Sequence, residues 1–184
     1  MIYPIYIYGS PVLRAGTENI GKDYPELEKL IPDMFETMYA SAGVGLAAPQ
    51  IGKSINIFVV DASPYGEEEP ELKDFKKVFI NAEIYERFGD NFLFNEGCLS
   101  FPGIHEDVSR KSNIWIKYYD ENFELHDDEF GGTAARIIQH EYDHIEGKSF
   151  IDHLSPLRRT LLKSKLNAMA KGKYSANYKC KQVK

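Results

Sequence analysis

Cysteine is scarce in this chain. Only Cys98 and Cys180 occur among 184 residues, too few for a disulfide scaffold. A single bridge between them would be unusual in a cytosolic chain, so Cys98 is expected to remain a thiol, kept for its chemistry. No apolar run approaches the ~20 residues that a membrane-spanning helix needs. The opening "MIYPIYIYGSPVLRAG" has neither a positive n-region nor an A-x-A-like cleavage site, and the expectation is a cytoplasmic protein. Internal repeats and long linkers are also missing, which points to one domain spanning residues 1–184.

Acidic residues are missing after Asp152. Residues 153–184 hold nine of the 22 Lys and Arg and none of the 28 Asp and Glu, so the net charge of −6 divides into a body near −15 and a basic tail of +9. Such a tail fits contact with nucleic acid or another polyanion, or else a solvated helix with a frayed end.

What is present reads as an α+β pattern, with strands grouped between helices. Residues 24–42 predict an N-terminal helix, capped by Asp23, with Pro25 in its first turn, Pro32 as a local irregularity and Gly43 as its stop. "INIFVVDAS" predicts a strand. "KVFINAEIYERF" predicts a strand pair or one long bent strand, and "NIWIKYYD" and "NFELHDDEF" a hairpin around "EN". Residues 64–74, acidic with two prolines, read as an exposed loop. "TAARIIQHEYDHIEG" predicts a buried helix ended by Gly147. A C-terminal helix is expected from Ser155 as cap and Pro156 at its first position to Gly172 as its stop. The architecture expected is antiparallel or mixed sheets around a central helix, flanked by the N- and C-terminal helices.

That central helix carries HExxH. His140 and His144 lie one turn apart on one face, about 6 Å between Cβ atoms, and can converge on one ion. Glu141 projects beside them, placed to act as a base on a metal-activated water without ligating. Catalytic sites of this kind take three protein ligands, and this stretch supplies two. In one metallopeptidase class a third histidine comes later, but that position is Phe150 and His153 is three residues too late. A downstream glutamate is excluded, because nothing acidic comes after Asp152. The remaining candidates lie upstream: His105, His126, Cys98 or a carboxylate.

Two further stretches stand out. "EGCLSFPG" sets Cys98 among residues that free and bend the backbone, and its thiolate would suit zinc or ferrous iron; the plainer reading is a small buried hydrophobe. "GVGLAAPQ" has so little side-chain bulk that another backbone can approach closely. It ends in Gln50, whose amide can donate to an oxyanion or cap backbone groups.

Together and in this order, "GVGLAAPQ" (43–50), "EGCLS" (96–100) and "QHEYDH" (139–144) resemble the peptide deformylase family. The family's motifs are G-x-G-L-A-A-x-Q, E-G-C-L-S and Q-H-E-x-D-H. The resemblance extends from "GSPVLR" near the start to "LSPLRR" and the terminal helix. It implies a metal-dependent hydrolase that removes the formyl group from the N-terminal formylmethionine of nascent peptides and releases formate. Cys98, His140 and His144 would hold one divalent metal: Fe(II) natively, with Zn(II), Ni(II) or Co(II) acceptable. Glu141 would carry the proton from the attacking water to the departing amine, while Gln50 and the Leu99 N–H stabilise the oxyanion. Gly43, Val44, Gly45, Phe94, Glu96, Gly97 and Ile137 would receive the substrate, with Val44, Phe94 and Ile137 around the methionine side chain. Glu96 is expected to pair with Arg110. Arg136 and His105 depart from the residues common at their positions and bear on the preferred second residue of the peptide, next to methionine. Asp143 is not catalytic.

The resemblance further implies a bacterial-type enzyme with no extra strand after its terminal helix. It implies a monomer that binds neither membrane nor sequence-specific nucleic acid, with Arg158, Arg159, Lys163 and Lys165 docking on the ribosome. The alternative retained is a zincin-like metallopeptidase cutting internal bonds.

Overall fold

The computed structural model describes residues 1–183; Lys184, the last base of the tail, lies outside the described residues. In chain order the elements are β1 (Ile5–Tyr6), α1 (Leu27–Ala40), β2 (Gly45–Ala47), β3 (Ile57–Asp61), β4 (Lys76–Gly97), β5 (His105–Tyr119), β6 (Leu125–Gly131), α2 (Gly132–Ile145), α3 (Pro156–Ala170) and β7 (Cys180–Lys181). Strands β2 to β6 form one antiparallel sheet in sequence order, and β1 pairs with β7 in a separate parallel pair. This is the α+β class expected from the grouping of strands.

Period-two alternation sets the centre. All five residues of β3 are buried. Ile57 and Val59 join a core with β1, α1 and α3 on one side. Phe58 and Val60 join a second core with α2 on the other. Helices therefore cover opposite faces of the sheet, and neither face of β3 meets solvent.

The "KVFINAEIYERF" segment is one long bent strand, and β4 extends well beyond it to Gly97. Its register against β5 shifts three times, and at the first shift Asn81 adopts φ 52°. Asn81 accepts from the Ile20 N–H and donates to the Ile20 carbonyl, both at 2.8 Å, which fixes the bend to the loop before α1. Such bulges re-aim a strand. Here β4 ends by delivering Glu96 and Gly97 to the segment that holds Cys98. The predicted hairpin is β5–β6, turning through residues 120–124.

Three expectations need correction. Helix α1 begins at Leu27, and its cap is Glu26 in the left-handed region without a side-chain bond, not Asp23. Pro25 disfavours helical backbone at Tyr24, so the chain enters through turns instead. Residues 64–74 form two short 3-10 turns that bury Leu72, so the loop is not wholly exposed. The tail is neither frayed nor free of a strand: β7 lies along β1. The cap of α3 is as expected, Ser155 Oγ accepting from the Arg158 N–H at 3.3 Å. No helix among the described residues is long and apolar enough to cross a membrane.

Candidate active site and metal centre

On α2, the apolar residues Ala134, Ala135 and Ile138 face the sheet, and the helical spacing turns His140 and His144 the other way. Their ring centroids stand 5.5 Å apart. The turn after β4 brings Cys98 to them, its Sγ 3.3 Å from His144 Nε2. The ligand atoms of Cys98, His140 and His144 all lie within 4.8 Å of one another. Donors about 2.0–2.3 Å from a tetrahedral zinc or similar ion would be spaced much like this. Of the other upstream candidates, His126 pairs with Asp120 at 2.7 Å in the β5–β6 hairpin, and His105 is exposed beside Gly97.

The two imidazoles stand in different surroundings. His140 Nδ1 bonds Glu96 Oε1 at 2.8 Å, which leaves Nε2 for a ligand. Burial opposes charge on His140, but Cys98 and Glu96 favour it and raise its pKa well above the ordinary value. Burial and the neighbouring His140 pull His144 down to about 3, so it stands as the neutral imidazole that metals bind. The donor set of one thiol and two imidazoles fits a divalent ion of intermediate softness.

Glu96 is the centre of a buried ionic network. Arg110 donates to it through Nε at 2.7 Å and Nη2 at 2.9 Å, so the expected pair is present. Arg136 donates to Glu96 Oε2 at 2.9 Å, to the Val108 carbonyl at 2.9 Å and to the Phe92 carbonyl at 2.6 Å. Arg110 also meets Asp143 at 2.9 Å, and His153 bonds Asp143 at 2.8 Å. Two carboxylates and two guanidiniums balance one another, which is how buried charge is tolerated. Asp143 is therefore a buried partner of Arg110 and His153.

Glu141 is buried, and burial pushes its pKa up to about 7. Its Oε2 has no partner among the described residues. Gly45 lies against the same carboxylate so closely that a Cβ there would overlap it. Gln50 caps a backbone group with one end of its amide and turns the other into the site. Its Oε1 accepts from the Ala47 N–H at 2.9 Å, which turns Nε2 toward Cys98 Sγ (3.6 Å) and Ser100 Oγ (3.3 Å).

These groups meet at a cavity of about 460 Å³. Gly43, Val44, Gly45, Gln50, Phe94, Glu96, Gly97, Cys98, Leu99, Ile137, His140 and Glu141 all line it, as do Arg136 and His105. His144 does not; it lines a second cavity behind the cluster, about 210 Å³. Phe150 packs near His140, ring centroids 5.8 Å apart, at the position where the metallopeptidase class would need a ligand.

Sequence reasoning missed Tyr65, Phe101 and Tyr178 in the cavity wall. Tyr65 comes from the acidic loop, whose Glu69 accepts from Thr133 in the first turn of α2. Tyr178 comes from the tail. No local pattern marks either residue, because only the closed fold brings them to the site.

The sequence model of the polypeptide deformylase family matches residues 2–160. A peptide deformylase of Christiangramia forsetii is 50% identical, covering 97% of this chain and 95% of its own length. That of Flavobacterium psychrophilum is also 50% identical, over 100% and 98%. Among solved structures, the peptide deformylase of Thermus thermophilus superposes with a TM-score of 0.82 at 37% identity, over 94% of this chain and 99% of that one. The enzyme from Legionella pneumophila gives 0.79 at 36%, over 93% and 96%. Full-length likeness of this degree, with the family motifs converging on one cavity, means that the chain belongs to the polypeptide deformylase family.

Proposed function

We propose that this deformylase removes the formyl group from N-terminal formylmethionine of nascent peptides in the cytoplasm, releasing formate and a free amine. The observation that carries this reading is that Gln50, Leu99, Cys98, His140 and Glu141 line one cavity, with His144 joined from behind to Cys98 and His140 in a cluster of metal-ligating atoms. Cys98, His140 and His144 would hold a divalent ion, Fe(II) in the cell and Zn(II), Ni(II) or Co(II) after purification. When bound, such an ion supplies Lewis acidity, which an unactivated formamide requires.

The chain's own groups do the rest. Gln50 Nε2 and the Leu99 N–H donate to the oxygen on which charge develops. Glu141 takes a proton from the attacking water and delivers it to the departing amine. Glu96 fixes the His140 tautomer, held in turn by Arg110. The absence of a side chain at Gly45 lets a substrate backbone lie beside Glu141, with Gly43 and Gly97 flanking it. Val44, Phe94 and Ile137 receive the methionine side chain.

Exposed bases on α3 would serve a ribosome-bound monomer, but Arg158 is committed to Glu106 (2.7 Å) and Lys165 to the Gly103 carbonyl (2.6 Å). Arg159 and Lys163 remain as the docking charges.

The test is formate release from formyl-Met-Ala-Ser by protein purified without oxygen, with metal content measured. Glu141→Ala should retain metal and lose about 10³-fold in kcat. Equal cleavage of casein, or full activity in Glu141→Ala, would overturn the proposal.

A further inference from the structure

The segment carrying Leu99 is held at three successive carbonyls. The Phe101 N–H donates to the Cys98 carbonyl and the Tyr8 N–H to the Ser100 carbonyl, each at 2.9 Å. Between them, the Leu99 carbonyl accepts from the Tyr178 hydroxyl at 2.7 Å. The first two donors are backbone groups that an ordinary substitution leaves in place. The third is a phenol from the tail, and among the described residues nothing else in the protein donates to that carbonyl.

Tyr178 is not a chance contact of a loose end. The Ile5 N–H donates to the Lys179 carbonyl at 2.8 Å and the Ile7 N–H to the Lys181 carbonyl at 3.0 Å. Gln182 Nε2 donates to the Tyr8 carbonyl at 2.8 Å. Tyr178 is half-buried, packs against the core that contains α1 and lines the cavity itself.

The geometry matters because of what Leu99 is left to do. Its N–H has no acceptor among the described residues. This N–H shares a rigid peptide plane with the Cys98 carbonyl, which the Phe101 N–H holds, and the Leu99 carbonyl in the next plane is held by Tyr178, so the backbone is pinned on both sides of the Leu99 Cα. The same segment supplies Ser100 Oγ, the partner of Gln50 Nε2. We propose that Tyr178 is a positioning residue, its hydroxyl holding the Leu99 carbonyl so that the Leu99 N–H stays aimed at the developing oxyanion beside Gln50. The role rests on the deformylase reading above.

The test compares the full chain with Tyr178→Phe, both loaded with Ni(II). Hydrolysis of formyl-Met-Ala-Ser should lose roughly tenfold in kcat, because an oxyanion donor slightly out of place still binds but stabilises less. KM should stay within about twofold, metal content should be unchanged, and amide hydrogen exchange at Leu99 should quicken. Gln182→Ala, which loosens the tail but keeps the hydroxyl, should give a smaller loss of the same kind. Wild-type kcat and exchange in Tyr178→Phe would overturn the role, and so would a kcat loss matched by lost metal. If the wild-type chain releases no formate, the functional reading falls. An active wild type with an indifferent Tyr178→Phe removes only the positioning role.

Discussion

A single absent methyl group governs the site at the residue scale. Gly45 leaves room for the Glu141 carboxylate, and a Cβ there would displace it. Gly45→Ala is therefore expected to lower kcat by about 10²-fold, since a displacement near 1 Å can do so. Its thermal midpoint should stay within a few degrees of wild type. A second residue-scale prediction concerns acid. Burial alone would raise Glu96 and Asp143, but His140 and Arg110 hold the first below the ordinary carboxylate range, and His153 and Arg110 the second. Stability from both is complete above the unfolded value of about 4 and is lost as pH falls through the lower folded values. Unfolding midpoints measured from pH 7 down to 3 should drop steeply at the acid end. Glu96→Gln should flatten that drop and cost about 3 kcal/mol at pH 7 by leaving Arg110 and Arg136 short of a partner. His140, Glu141 and His144 were legible in sequence because one helix carries all three. Cys98 was one candidate among several, because only the turn after β4 decides which side chain arrives.

Among the elements, β4 does the positioning. Its first bend is set by polar side chains rather than by glycine or proline. Asn81 combines a left-handed backbone with two bonds to Ile20, and Asn56 makes a similar pair with Ala82 at 3.1 Å each way. Asn81→Ala should cost about 2 kcal/mol in denaturant unfolding, summing strained backbone and lost bonds. The deformylation rate of the remaining folded protein should be nearly unchanged. The apolar runs in "INIFVVDAS" and "KVFINAEIYERF" marked β3 and the start of β4, and one buried helical stretch marked α2. The far half of β4 was hidden, since from Glu86 to Asn95 mostly exposed residues are interrupted only by the half-buried Phe88, Phe92 and Phe94, of which Phe94 lines the cavity. The start of α1 was obscured because Asp23 and Pro25 look like an ordinary cap, whereas the chain turns through Glu26 first.

Across the whole molecule, the basic tail does more than carry charge. Leu166 and Met169 of α3 are core residues, and Arg158 reaches back to Glu106. Removing residues 156–184 should therefore lower the thermal midpoint sharply and abolish hydrolysis of short peptides, as a truncation assay would read. The tail's role was illegible in sequence because its contact with the site joins residues 79 positions apart, and composition alone reported only its charge. Metal removal is a further whole-molecule test: a chelator should lower the midpoint, and restored ion should recover it.

The β1–β7 pair also gives the chain a temporal order. It closes Ile5 on Cys180, so nearly the whole polypeptide must exist before the pair can form. Synthesis runs from the N-terminus, and contacts this distant in sequence are slow to close. The histidines and the cysteine can gather before the tail arrives, but the wall containing Tyr178 cannot. That wall is thus the last part of the site to be completed, and a chain arrested before residue 178 would lack the hydroxyl that holds the Leu99 carbonyl.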